Sequence, residues 1–206
     1  MARTGRPREF DRAEAVHQAM LLFWANGYEP TSLADLRKEL GDLSAASFYK
    51  AFGSKDQLFE ECLELYMSTC GGVAEELDAP GVSPRAAMQA MLTRAVHSQT
   101  SIDQPTGCMA VLSGMNCGSE NDAVNVAVAD ARNRTRLAME ECLARAVENG
   151  DIADSQRASN LLELYDVVLK GIALQARDGV SREALLGAVD ACMAAWDCAG
   201  ETKQHA

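Results

Sequence analysis

Proline is scarce, with five in 206 residues, and no apolar run approaches the roughly 20 residues needed to cross a bilayer. The second gap argues against a membrane span. The first, joined to the want of clear period-two alternation, argues against a sheet protein and for an all-α fold of about nine helices. Histidine is limited to His17, His97 and His205, none in a nucleophile motif or a paired-ligand spacing, and no glycine-rich phosphate loop occurs. These gaps remove the common catalytic constellations, so the expectation is a protein that is not an enzyme and holds no metal or cofactor. Seven cysteines form an odd set without zinc spacing, and no secretory signal precedes the first helix. A disulfide framework is therefore not expected, and the reducing cytoplasm is the expected compartment.

What is present is a chain with 48% apolar residues and a formal charge of −11. The acid is unevenly placed. Residues 1–60 hold eight Lys/Arg and nine Asp/Glu, whereas residues 61–206 hold eleven and twenty-one. The first eight residues carry Arg3, Arg6 and Arg8 with no acid. Overall acidity weakens non-specific attraction to nucleic acid but leaves room for a local basic face.

Residues 27–59 are the most informative stretch. A helix opens at Asp11, carries Val16, Ala19, Met20 and Phe23 as a core stripe, and ends at Gly27. Ser32 with Asp35 has the form of a capped start for a second helix whose inner seam is Leu33, Leu36 and Leu40. Gly41 turns the chain and Ser44 caps a third helix. There Phe48, Ala51 and Phe52 share the inner face, with Ala45 one turn before, while Ala46, Ser47 and Lys50, with Tyr49 at the flank, are left for the outside; Ala45 is counted with them among the candidate DNA contacts. Ser54 and Gln57 suit a capping box on a fourth helix, directing its first amides and Lys55 toward a phosphate. This is the layout of a helix-turn-helix that reads double-stranded DNA. Small residues let the third helix lie deep in the major groove, and hydroxyls and Lys50 reach phosphates or base edges. Arg3 and Arg6 are candidates for the minor groove.

Further on, Pro80, Gly81 and Pro84 break the pattern, and Ser83 opens a helix to about Ser98. A second break at Pro105 and Gly107 precedes a short apolar helix that ends near Gly118. Three more follow: one that Ser119 and Asp122 can cap, running to Glu148, then one from about Asp154 to Arg177, then one from Ser181 to about Cys198. The organisation read from these breaks is an arm and reader over 1–53, a linking helix over 54–75, a sensing and dimerisation region over 76–200, and a tail over 201–206.

Residues 10–60 resemble the DNA-binding domain of the tetracycline-repressor (TetR) family. Gly27-Tyr28, Thr31-Ser32, Gly41, Phe48-Tyr49 and Phe52-Gly53-Ser54-Lys55 keep that family's order and nearly its spacing over about a quarter of the chain. Two departures stand out: the Gly41-Asp42-Leu43-Ser44 turn is one residue longer than the commonest form, and Ala45 and Ala46 replace a frequent Lys-Gly pair. The resemblance implies a repressor that binds a palindromic operator as a homodimer and leaves it when an unknown small-molecule effector binds. It also implies that Thr31 and Ser32 join Ser44, Tyr49 and Lys55 among the DNA contacts.

Two further sets complete the reading. The last two helices carry the stripes Leu161, Tyr165, Val168, Ile172 and Leu185, Val189, Cys192, Met193, Trp196, with Gly171, Gly187, Ala188, Ala191 and Ala195 permitting close approach. An intrachain core accounts for such stripes; the resemblance instead makes Tyr165, Val168, Ile172, Leu185, Val189, Met193 and Trp196 a dimer interface. In the middle region, Met88, Met91, Met109, Leu112 and Met115 are soft apolar side chains suited to a deformable pocket, and gap-filling in an ordinary core suits them equally. Cys108 follows Gly107 at a helix start, where the dipole favours thiolate. It joins the candidate ligand set and raises a thiol-sensing alternative, with a helical thiol enzyme as the rival from another class. Arg132, Arg134 and Arg136 on the long helix read as a solvated face or an anion site.

Overall fold

Asp11 starts the first helix by accepting hydrogen bonds from the amides of Ala13 and Glu14, two of the donors that a helix start leaves unpaired. The computed structural model describes residues 11–115, 117–118 and 121–200. Among these lie nine α-helices and one 3-10 helix: α1 (Arg12–Asn26), α2 (Leu33–Glu39), α3 (Ala45–Phe52), α4 (Lys55–Met67), the 3-10 helix (Val73–Asp78), α5 (Pro84–Gln99), α6 (Met109–Leu112), α7 (Asp122–Glu148), α8 (Ser155–Arg177) and α9 (Arg182–Gly200). No strand occurs among the described residues. Ser32 and Asp35 form both arms of a capping box, and Ser44, Ser54, Ser83 and Asp154 each cap a helix with a side-chain oxygen. Glu14 does not complete a box at α1; it accepts instead from Gln18, one turn on.

Three boundaries differ from the sequence expectation, each for a local reason. The fourth helix stops at Met67 rather than running on, because the Ser68 and Thr69 hydroxyls donate back to the Leu65 carbonyl. Such bonds compete with helical pairing. Gly71 follows, where an added Cβ would fall 2.2 Å from the Tyr66 ring. The 3-10 helix has no side-chain cap, so the sequence carried no signal for it. The short apolar helix is a single four-residue turn, because the chain bends at Ser113 and Gly114, the latter pressed against Val128 of α7.

Two cores result. One joins α1, α2, α3 and α4 to Met109 and Ala110 of α6 and to Val124, Val128 and Ala131 of α7. The other joins α5, the later part of α7, α8 and α9, closed at one end by Val73 and Leu77. Phe23, Tyr28 and Phe59 meet as stacked and edge-on rings in the first core, and Trp24 meets Tyr66 edge-on at 4.8 Å.

Candidate nucleic-acid interface and buried cavity

The turn between α2 and α3 is built by backbone geometry and one arginine. Gly41 and Asp42 both take positive φ, 88° and 57°. Asp is among the few residues with a side chain that tolerate this region. Arg37 then clasps the turn: its carbonyl accepts from Leu43 N–H at 3.0 Å, and its Nε donates to the Leu43 carbonyl at 2.7 Å. The next residue, Ser44, caps α3 through the Ser47 amide. Phe48 and Phe52 are buried, which rolls the opposite side outward. Ser44, Ala45, Ala46, Ser47, Tyr49 and Lys50 are all exposed, so six of the sequence-derived contact candidates share one accessible surface. Arg12 backs this helix from behind, with its guanidinium over the Phe52 ring, its Nε on the Ala51 carbonyl and Glu61 as ion partner.

Lys55, at the start of α4, is held rather than free. Its ammonium lies 4.0 Å from the Tyr28 ring centroid, and the Tyr28 hydroxyl donates to the Asp56 carboxylate. Burial lowers the Lys55 pKa and outweighs the opposing pull of Glu29, Asp56 and Cys117. Two expected contacts are corrected. Thr31 is buried, and its hydroxyl donates to the Gly27 carbonyl, so it shapes the loop between α1 and α2 and has no surface for a phosphate. Ser32 is exposed, but its hydroxyl is spent on the capping box with Asp35. Arg3 and Arg6 lie outside the described residues.

A cavity of about 40 Å³ lies where α4, α5, α6, α7 and α8 meet. Tyr66, Cys70, Gln99, Cys108, Arg132 and Thr135 supply its polar edges, and Val111 and Leu169 are part of its apolar wall. Of the candidate ligand residues only Cys108 lines it. Met88, Met91 and Met109 are buried in the two cores, Leu112 is half-buried away from the cavity, and Met115 is 63% exposed. The correction has a helical cause: Met109 turns toward α1 and α4, which leaves its successors Ala110 and Val111 to face the cavity. Tyr66, Cys70 and Gln99 escaped the sequence reading because nothing in their local spacing sets them apart from core. Arg132 separates from its neighbours on α7: Arg134 pairs with Glu64, Arg136 with Glu163 and Asp166, while Arg132 donates to the Ala110 carbonyl at 2.8 Å.

The thiol of Cys108 also reverses an expectation. Burial raises its pKa, and this outweighs the Tyr66 hydroxyl, the Val111 and Ala110 amides and the Arg132 charge, all of which favour thiolate. One four-residue turn has too small a dipole to overcome desolvation. Alkylation of Cys108 by iodoacetamide is therefore expected to be slower at pH 8 than that of a free cysteine. It should keep rising with pH past 9, where a free thiol levels off. Timed labelling with peptide mass analysis across pH 7–10 checks this, and a plateau below pH 8 contradicts it.

The edge of the cavity is wired to α1. Gly107, next to Cys108, donates its N–H to the Gln99 carbonyl and accepts at its own carbonyl from Trp24 Nε1 at 3.0 Å. Ser113 donates to the Phe23 carbonyl and accepts from Tyr28 N–H. Arg177, the last residue of α8, places both terminal nitrogens on the Trp24 and Ala25 carbonyls at 2.7 Å.

The proposed dimer stripes also need correction. Tyr165, Ile172, Leu185, Val189, Met193 and Trp196 are buried within the chain's own core, and Val168 packs against it half-buried. A side chain already covered by its own chain offers no area to a partner. The outward face of α8 instead carries Leu164, Val167 and Leu174, of which Val167 is 66% exposed. Beside it α9 exposes Ala184, Gly187, Ala188 and Ala191. Among the described residues no helix is long and apolar enough to cross a membrane, and no group of three or more potential ligands is placed to hold a metal ion.

Comparison with known proteins adds to this geometry. Residues 15–62 match the family described as bacterial regulatory proteins, tetR family. The chain is 36% identical to the TetR family transcriptional regulator CifR, solved as a cysteine mutant complexed with 26-bp double-strand operator DNA. That likeness covers 93% of this chain and 100% of CifR, with a TM-score of 0.85. It is also 28% identical over 193 residues to the HTH-type transcriptional repressor ComR of Escherichia coli (strain K12), covering 93% of this chain and 91% of ComR. The HTH-type transcriptional repressor BdcR of the same organism is 28% identical over 181 residues, 88% of this chain and 86% of BdcR.

Proposed function

This chain belongs to the tetR family of bacterial regulatory proteins, and on that premise we propose that it is a homodimeric repressor which a small molecule releases from a palindromic operator. The observation that carries the reading is the outer face of α3. Six polar or small residues stand exposed there, anchored from behind by Phe48 and Phe52. Two copies related by a two-fold axis place two such helices in successive major grooves, about 34–36 Å apart. Tyr49 and Lys50 reach phosphates or base edges, and Lys55 supplies a phosphate contact from the start of α4.

The dimer face on this reading is the exposed α8 stripe, Leu164, Val167 and Leu174, with the small residues of α9. The residue ranges fit the same scheme, with the reader over 1–53, the link over 54–75 and the sensing and dimerisation region over 76–200. The effector occupies the cavity beside Cys108. Its occupancy is transmitted in two ways, through α4, which carries Tyr66 to the cavity and Lys55 to the reader, and through the Gly107 and Ser113 bonds to α1. For useful control the effector must favour the released state by about 1–3 kcal/mol. A second reading, in which an electrophile modifies Cys108, is favoured by the position of that residue on the cavity wall. A raised thiol pKa makes such a reaction slow unless the bound molecule draws out the proton.

The test is operator binding. Protein footprinted on genomic DNA is expected to protect a palindrome, and absence of any protected palindrome overturns the reading. Lys55→Ala should weaken binding to all sequences alike and flatten the log–log salt dependence by about one unit. An unchanged slope removes Lys55 from the phosphate contacts.

A further inference from the structure

The cavity holds an unmet requirement. Gln99, the last residue of α5, is 4% exposed, and its side-chain oxygen Oε1 is buried without a hydrogen-bond partner. Buried amide oxygens are nearly always paired, so a bare one on a residue that lines a cavity calls for an occupant. Its neighbours do not serve. The Tyr66 hydroxyl is engaged with Cys108, the Cys70 thiol donates to Gln104 Oε1 at 3.1 Å, and Arg132 donates to the Ala110 carbonyl. Lys170, also on the cavity wall, is paired with Asp166. The Gln99 backbone is held at this point, since Gly107 N–H donates to the Gln99 carbonyl at 2.9 Å. The wall around it includes Ala110, Val111 and Leu169.

We infer that this cavity takes a small molecule, apolar on one side and bearing an N–H or O–H donor that bonds to Gln99 Oε1. Gln99 is thereby the residue that sets effector specificity. The inference rests on the reading of the cavity as the effector site and adds the chemical class of what enters it. Size follows from the volume. A cavity of about 40 Å³ is well short of the roughly 150 Å³ that holds benzene, so the occupant is smaller than benzene. The donor requirement discriminates strongly, because an isostere without a donor leaves the amide oxygen bare.

Acetamide and acetone test this directly, since they match in shape and heavy-atom count and differ in an N–H₂ for a methyl group. Each is titrated into the full-length protein by NMR, into the wild type and into Gln99→Leu and Gln99→Met, with folding of the variants checked by circular dichroism. The Kd ratio of acetone to acetamide is expected to be about tenfold larger in the wild type than in either variant, the worth of one hydrogen bond. Equal ratios in all three proteins overturn the inference. So does failure of both probes to bind while a fixed water sits on Oε1, which assigns the site to solvent. Addition of each probe to the operator complex separates this from the regulatory reading. Gln99-dependent binding that leaves DNA occupancy unchanged upholds the ligand class and counts against the cavity as effector site. Absence of operator binding by the free protein counts only against the repressor.

Discussion

Val167→Glu is expected to turn the protein monomeric at micromolar concentration and to weaken operator binding by about 100-fold or more. Val167 is the most exposed of three outward apolar residues on α8, at 66%, with Leu164 three residues before it and Leu174 seven after. This spacing of three and seven residues returns to one helix face, the pattern of a seam between helices. Gly171 lies on the same face, and an added Cβ there meets nothing within 4 Å, as at Gly187 on α9. The backbones of two copies can therefore approach closely. A carboxylate from each copy, brought together in a desolvated seam, opposes association through both burial and like-charge repulsion. Loss of the dimer halves the contacts to DNA and removes the effective concentration that joins two half-sites, a term of about 10²–10⁴. Sedimentation and operator titration read the two effects separately. A dimer that persists with Val167→Glu moves the interface elsewhere on the molecule. Tyr165→Phe serves as contrast, since that buried residue is expected to leave the oligomeric state unchanged.

Trp24→Ala is expected to cost about 3–5 kcal/mol of stability, the range for deleting a buried aromatic side chain. Trp24 is fully buried, meets Tyr66 edge-on and donates to the carbonyl of Gly107, a residue far along the chain. Thermal or urea unfolding measures the loss, and a cost below about 1 kcal/mol contradicts this packing role. Trp24→Phe keeps most of the apolar area and removes the indole donor. It should cost about 1–3 kcal/mol, since a buried carbonyl is left bare. On the proposed mechanism it should also blunt the response of the operator complex to effector. An effector response equal to that of the wild type leaves α4 as the carrier of the signal.

Legibility of the fold in the sequence followed the range of the interactions involved. Caps such as Ser32 with Asp35, Ser44 and Ser83 act over three residues, and the sequence placed them where the structure has them. The burial of Phe48 and Phe52 was legible for the same reason, since helical period alone orients them. Thr31 looked like a surface hydroxyl because its partner, the Gly27 carbonyl, is created only when the loop closes. The stripe of α8 misled more deeply. That helix has apolar residues on two faces, one covered by Tyr165 and Ile172 and one open at Val167 and Leu174. Periodicity finds both and cannot say which the chain covers by itself. Gln99 and Arg177 were silent because their partners, or the want of one, depend on residues far away in the chain.

The shared core of the first four helices carries a consequence for the order of events during synthesis. Met109, Val124, Val128 and Ala131 line that core, and Arg177 closes the carbonyl end of α1. A nascent chain that has just released Tyr66 from the ribosome thus lacks part of its apolar floor. At elongation rates of about 5–20 residues per second, the interval until Ala131 emerges is about 3–13 s. Through that time Trp24 and Phe59 stay incompletely covered, so the core under the first four helices is completed only once the C-terminal half has been made.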